Sequence, residues 1–348
     1  MKTWRWSLST ILVGLGAATV VYADLLSFSE RERAVIASFG PWPVLPPTDP
    51  TNPGSGRQVG IDLGEKLFFD ERLSVNGKIA CASCHEPERH WTDGLRRGVG
   101  VARGDRNTPS LMNMAFHRRF GWDGVNDKLW MQSLRPIVDA RELGSSAQHL
   151  ARLVRSDADY SCRFQKVFGR PVPSQDDEVL VDTGRALAAF MEGLSSGRAP
   201  FDEFRDALVN GDTRQAAQYS EAAQRGVKLF VGKAACVSCH DGPIFTNGER
   251  RDNGMLSGSP DLLQAKRSSM QFRVASLRHL ALTGPYMHDG SLTSLAEVLN
   301  HYERTSTADV KPLTLAPKEK TDLLVFLESL TNFRAAIWRS TDGGAACK

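Results

Sequence analysis

Two short segments hold the residues with the most specific chemistry: Cys81-Ala82-Ser83-Cys84-His85 and Cys236-Val237-Ser238-Cys239-His240. Both read C-x-x-C-H. Two thiols three positions apart can reach both vinyl groups of one porphyrin. The adjacent histidine then places its imidazole on the iron, so the pattern marks covalent c-type haem attachment. A structural zinc site would need both pairs to converge on one metal, and a redox dithiol would want a strand before it. Two copies with immediate histidines favour two covalently bound haems c. The other two of the six cysteines are Cys162 and Cys347. In an oxidising compartment they can form a disulfide, and both the paired and the free states stay open from the sequence.

The elements that position these segments read as helices joined by long loops. Val179–Leu194, Leu292–Tyr302 and Lys318–Leu330 carry helical periodicity, and no alternating strand pattern of useful length is found. Gly64-Glu65-Lys66-Leu67-Phe68 precedes Cys81, and Gly226-Val227-Lys228-Leu229-Phe230 precedes Cys236. A helix leading into the same motif twice indicates two related halves. Ser-Gly-Arg-Ala-Pro and Asn-Gly-Asp punctuate Ser196–Asp212, which places the boundary there. A proline-rich stretch (Pro41, Pro43, Pro46, Pro47, Pro50, Pro53) cannot be a helix interior and is expected to wrap the surface. The expected fold is all-α, with two cytochrome c-like domains, one haem each: 24–205 with the proline-rich leader, and 206–348.

The chain has 348 residues, 41% hydrophobic and 24% charged, with a net charge of +3. That is a soluble globular composition. The near balance of charge argues against binding driven by nucleic-acid phosphate, and the cysteines are too few for a disulfide scaffold. Residues 1–23 read as a secretory signal: Lys2 and Arg5, an apolar run from Ile11 to Val21, then Val21-Tyr22-Ala23 as a cleavage site. Signal removal leaves an exported protein, periplasmic in a bacterium, with no further apolar stretch long enough to span a bilayer. Two haems in a chain of this size leave each a domain-sized length of polypeptide, with room for a shaped active site.

Several further motifs resemble the bacterial di-haem cytochrome c peroxidase/MauG family, from Gly64 to about Thr331. Arg106-Asn107-Thr108-Pro109 is similar to its R-N-[ST]-P, and Gly121-Trp122-Asp123-Gly124 to its F-W-D-G. Gln132, Pro136 and Glu142 follow Trp122 at the family spacings. Leu282-Thr283-Gly284-Pro285-Tyr286-Met287-His288-Asp289-Gly290 resembles its second-domain loop. The resemblance implies that the N-terminal haem meets peroxide. Glu142 would be the acid–base that moves a proton between the peroxide oxygens, and Gln132 and Pro136 would line the same distal pocket. It also implies that Trp122 relays charge between the haems. Asn107 would bind calcium through its side chain, and Thr283 and Pro285 through backbone carbonyls, as suits a hard cation.

Two departures sharpen the resemblance. Family members that need reductive activation carry a histidine ligand in the loop before R-N-[ST]-P. Here Val99 stands at that position, and valine cannot ligate iron. His90 and His117 lie outside the loop and read as packing or surface residues. The first haem is therefore expected to be five-coordinate or water-bound. At the second haem, the position where peroxidases of the family supply methionine is Tyr302. Its rival, His301, points about 100° away around the helix. His240–Tyr302 ligation is the MauG-like arrangement. A phenolate favours high iron oxidation states, where a thioether favours ferrous iron. The resemblance then implies an enzyme that uses hydrogen peroxide to reach a high-valent, bis-Fe(IV)-type state. That state would oxidise a side chain, usually tryptophan, of a partner protein. The segments Gly121–Gln132 and Asp157–Phe164 resemble MbnH-type enzymes, which convert a partner's tryptophan to kynurenine. MauG itself has a tryptophan where Ala234 stands here. The alternative is a peroxidase that reduces peroxide to water with electrons from a small cytochrome c or cupredoxin.

Overall fold

The computed structural model describes residues 25–255, 271–333 and 347, so the expected signal segment 1–23 lies outside the described residues. Helices start where a side chain can cap the free backbone N–H groups. Ser29 opens α1 (Glu30–Ser38) through a reciprocal capping box with Glu32. The next helices are α2 (Gln58–Phe68), α3 (Leu129–Val138), α4 (Ala147–Ser156), α5 (Ala158–Phe168) and α6 (Asp176–Glu192). They are followed by α7 (Pro200–Val209), α8 (Thr213–Ala216), α9 (Glu221–Val231), α10 (Leu295–Arg304) and α11 (Pro317–Glu328). The helix expected from Leu292 begins at Leu295, because Ser294 caps it by accepting from Glu297 N. The only strands among the described residues are the two-residue pair β1 (Arg250–Arg251) and β2 (Phe272–Arg273). No described helix is long and apolar enough to cross a membrane.

The echo read from the sequence has a physical cause. A Cβ on Gly64 would run into the Ala186 carbonyl of α6 and come within 2.8 Å of Phe190 Cβ. A Cβ on Gly226 would run into the Asp322 carbonyl of α11 and come within 2.6 Å of Phe326 Cβ. Each glycine lets the helix before a cysteine pair cross a second helix backbone to backbone. Around each crossing sits the same aromatic triangle. Phe68, Trp91 and Phe190 have ring centres 5.2–5.8 Å apart, and Phe230, Phe245 and Phe326 lie 5.0–6.4 Å apart. Both triangles sit in buried clusters, one built on α2–α6 and one on α9, α11 and α7.

The expected division at 205/206 falls inside α7. Phe201 and Phe204 of α7 pack in the second cluster, and so do Phe28, Ile36 and Phe39 of the leader. The N-terminal leader thus crosses over to cover the second half. The proline-rich stretch that follows runs over the surface at Leu45 but is pinned at Trp42. That indole is buried, donates to Ser196 O at 3.0 Å and lies under the Arg278 guanidinium. Arg278 in turn pairs with Asp202 with both side chains buried. Cys162 and Cys347 are joined as a disulfide, which ties α5 to the C-terminus.

Glu192, at the end of α6, is buried and accepts a hydrogen bond from Ser55 Oγ; burial pushes its carboxyl up from 4.5 to about 7. The folded state therefore keeps a proton that the unfolded chain loses near pH 4.5. Stability falls as pH rises through that window, by about 3 kcal/mol. Glu192→Gln should remove this part of the pH dependence. Denaturant titrations at pH 5 and pH 8 should show the variant gaining on the wild type as pH rises, and parallel curves would contradict the assignment.

Candidate functional site

Each cysteine pair opens a single 3-10 turn, Cys81–Ser83 and Cys236–Ser238, and each histidine N–H bonds back to the first cysteine carbonyl at 2.9 Å. The imidazoles are then fixed in the same way. His85 Nδ1 donates to Trp91 O at 3.0 Å, and His240 Nδ1 donates to Phe245 O at 3.0 Å. The two accepting aromatics hold left-handed backbone conformations, with φ of 64° and 54°, as is found where a site over-determines the chain. An Nδ1–H engaged with a carbonyl leaves Nε2 as the metal-facing nitrogen and strengthens it as a ligand. Burial lowers both imidazole pKa values, which keeps the ligating neutral form.

The thiols weigh against a redox use of the C-x-x-C pairs. Burial pushes Cys81 and Cys236 up to about 12 and Cys84 to about 11. Redox thiols are instead held as thiolates. Among the described residues no group of three or more His, Cys, Asp or Glu could hold a metal ion. The residues fit a porphyrin. Cys236, Cys239 and His240 line a cavity of about 790 Å³ together with Tyr302, within the roughly 300–1,000 Å³ of cofactor-sized pockets. Tyr302 is thus brought into the cavity of the second motif, and burial pushes its phenol up to about 12. His301 is turned to the Asn253 carbonyl at 2.7 Å and to Thr305. Met287 also reaches the cavity, its sulfur near Asn253 Nδ2.

The same cavity crosses the seam between the halves, since Asn107 and Trp122 line it beside Thr283 and Pro285. Trp122 Nε1 donates to Asn107 O at 2.7 Å, and Trp122 O accepts from Arg273 N at 2.9 Å. Asn107 is buried, its N–H bonds to His288 O and its Nδ2 donates to Leu95 O. Oδ1 remains as the side-chain oxygen donor, and the trio offers neutral oxygens of the kind calcium accepts alongside waters.

On the first-haem side, Gln132 and Pro136 lie four residues apart on α3 and so share a face. A Cβ on Gly121 would come within 2.9 Å of Gln132 Oε1, which puts Gln132 against the Trp122 turn. Pro136 O accepts from Leu143 N at 3.0 Å, which fixes the turn that carries Glu142. Glu142 is exposed on this turn. Desolvation, then Asp139, raise its pKa against Arg135 and Arg141, and its charge acts on both Cys81 and Cys84. The loop holding Val99 lies directly against this turn. Val101 N donates to Glu142 O at 2.8 Å, Ala102 N to Arg141 O at 2.9 Å, and Cys84 Sγ faces Val99 O at 3.6 Å.

Sequence reasoning missed Arg273 and Phe272. Arg273 is buried, and Nη1 donates to His117 Nδ1 at 2.8 Å; burial lowers its pKa to about 10. His117 is therefore a packing residue, held neutral by burial and by Arg273. Phe272 stacks on His288 at 3.9 Å. No local motif marks either, because their partners lie about 150 or 16 residues away in the chain.

A Cβ on Gly100 would run into the Glu142 backbone and come within 2.7 Å of Arg141 O, whereas one on Gly104 finds only ordinary contacts. Gly100→Ala should cost about 1–3 kcal/mol and lower the melting temperature by several degrees. Gly104→Ala in the same loop should cost under about 1 kcal/mol. Equal melting temperatures for the two variants would contradict the packing of this loop on Glu142.

Comparison with known proteins places these features in a family. A di-haem cytochrome c peroxidase profile matches residues 58–210. The methylamine utilization protein MauG of Methylorubrum extorquens is 36% identical over 92% of this chain and 90% of its own. Cytochrome-c peroxidase IdrP2 of Pseudomonas sp. strain SCT is 31% identical over 95% and 94%. The crystal structure of a MauG-like protein associated with microbial copper homeostasis superposes with a TM-score of 0.69 and 30% identity, covering 84% of this chain and 95% of that one.

Proposed function

Because the chain belongs to the di-haem cytochrome c peroxidase family, with MauG among its relatives, and is a di-haem oxidoreductase, we propose that it uses hydrogen peroxide to oxidise a side chain of a partner protein, with tryptophan (to kynurenine, for example) as the residue. The observation that carries this reading is Tyr302. It shares the second-motif cavity with His240, while His301 is held away by Asn253. When bound, the two haems supply the oxidising equivalents drawn from peroxide. Cys81, Cys84, Cys236 and Cys239 anchor them, and His85 and His240 present Nε2 to the iron. Burial disfavours a free Tyr302 phenolate, so the charge of a ferric haem, when bound there, would be what holds Tyr302 deprotonated. A hard anionic donor there disfavours ferrous iron, which speaks against the reading as a peroxidase fed by a small cytochrome or cupredoxin.

Around the first haem, Glu142 takes a proton from one peroxide oxygen and returns it to the other, and Gln132 and Pro136 wall the pocket. Val99 has no atom to ligate iron, so a haem bound there would be open to peroxide without prior reduction. Trp122, pinned to Asn107 and Arg273 at the seam, relays charge between the halves. Asn107, Thr283 and Pro285 hold calcium beside it. The two repeated units are the two cytochrome c-like domains, and the enzyme works in the periplasm after loss of residues 1–23.

Pyridine haemochrome analysis should give two haems c per chain, and Cys236→Ser/Cys239→Ser should leave one. Peroxide added to the diferric protein should give a long-lived state with both irons above ferric by Mössbauer spectroscopy. Tyr302→Met should shorten that state at least tenfold and abolish partner oxidation; unchanged partner oxidation in Tyr302→Phe would sink the reading. Glu142 must be ionised to accept the first proton, and its pKa is raised. The rate of reaction with peroxide should therefore fall as pH drops through that raised pKa, and Glu142→Gln should lose this acid limb along with at least a hundredfold in rate.

A further inference from the structure

Two histidines that the peroxide chemistry does not use meet where the repeats touch. His90 lies just before the left-handed Trp91 of the first repeat. Its counterpart in the second is Ile244, just before Phe245: Ser110 Oγ donates to His90 O at 2.7 Å, and Ser276 Oγ donates to Ile244 O at 2.6 Å. His279 of the second repeat is the counterpart of Asn113. Both have a φ of 64°, and both donate a backbone N–H to the carbonyl two residues beyond a helix, Leu194 or Leu330. Asn113 uses its amide fully, giving Nδ2 to Ser196 Oγ and accepting from Ser196 N. His279 cannot do the same. It is 1% exposed, and neither ring nitrogen has a hydrogen-bond partner. A buried polar group in that state needs an explanation.

What faces it is the half-buried ring of His90, at 5.5 Å between centres and 45° between planes. Two imidazoles sharing one tetrahedral zinc, with Zn–N near 2 Å, hold their ring centres roughly 5 to 6 Å apart. Burial keeps both rings in the neutral form that ligates. Arg278, whose charge acts on His279, is already committed to the Asp202 carboxylate at 2.9 and 3.0 Å. We propose that His90 and His279 form a binding site for a borderline-soft divalent cation such as Zn²⁺, with solvent completing its coordination, which clips the two repeats together at the seam. Imidazole pairs suit this class of metal, and neither His90 nor His279 is among the residues that line the second-motif cavity.

The test is zinc binding by the di-haem protein after chelator treatment, measured by equilibrium dialysis with metal analysis. The variants take the residue that the other repeat already carries at the same place, His279→Asn and His90→Ile, and haem content and melting temperature without zinc check their folding. The wild type should bind one tight Zn²⁺ per chain and melt at a higher temperature with zinc present. Each variant should lose at least tenfold in affinity and the zinc-dependent melting shift. The proposal is overturned if the wild type binds no zinc beyond the His90→Ile/His279→Asn double variant, or if either single variant binds it as the wild type does.

Discussion

Two hydrogen bonds from imidazole Nδ1 to a main-chain carbonyl, His85 to Trp91 and His240 to Phe245, organise the molecule. For each bond to form, an aromatic residue must adopt a left-handed backbone and turn its carbonyl inward. That strain persists only because the side chain of the same residue is locked into a triangle of rings. The triangle in turn requires two helices to approach more closely than any side chain at the crossing would allow, which Gly64 and Gly226 permit. Ligand orientation, core packing and helix crossing are one linked requirement, met twice.

Once duplicated, the scaffold is free to differ where the repeats face their cofactors and each other. In the first half the loop that holds Val99 and the turn that holds Glu142 hydrogen-bond to one another through their backbones. In the second half α10 directs a phenol toward the corresponding space. Trp122 belongs to the first repeat in sequence, yet it lines the cavity of the second and is held from both sides of the seam. The difference between the Val99 loop and the Tyr302-bearing cavity is thus laid over a symmetric frame.

The two motifs, the helical character and the repeat were legible in the sequence because each is carried by residues close together in the chain. C-x-x-C-H fits within one turn, and Gly-x-Lys-Leu-Phe marks a helix face together with its crossing point. The helices α6, α10 and α11 were visible as apolar periodicity, with ends moved by caps such as Ser294. Of the residues matched by spacing to Trp122, Gln132 lies against the Trp122 turn and Pro136 O is bonded to the turn that carries Glu142. What was not legible depends on long-range contacts. These include the leader's return to the second core through Ile36 and Phe39, the anchoring of Trp42 on Ser196, and the Arg273–His117 pair. The Cys162–Cys347 bond, left open from the sequence, joins positions 185 residues apart.

The central claim is that one fold presents an open haem and a His240–Tyr302 haem in the same resting protein. Electron paramagnetic resonance of the diferric protein at low temperature tests it most directly. The expected result is one high-spin signal from the first haem and one low-spin signal from the second, the latter altered by Tyr302→Phe and untouched by His301→Ala. Two low-spin signals, or a second signal that ignores Tyr302 and shifts with His301 or Met287, would contradict the account.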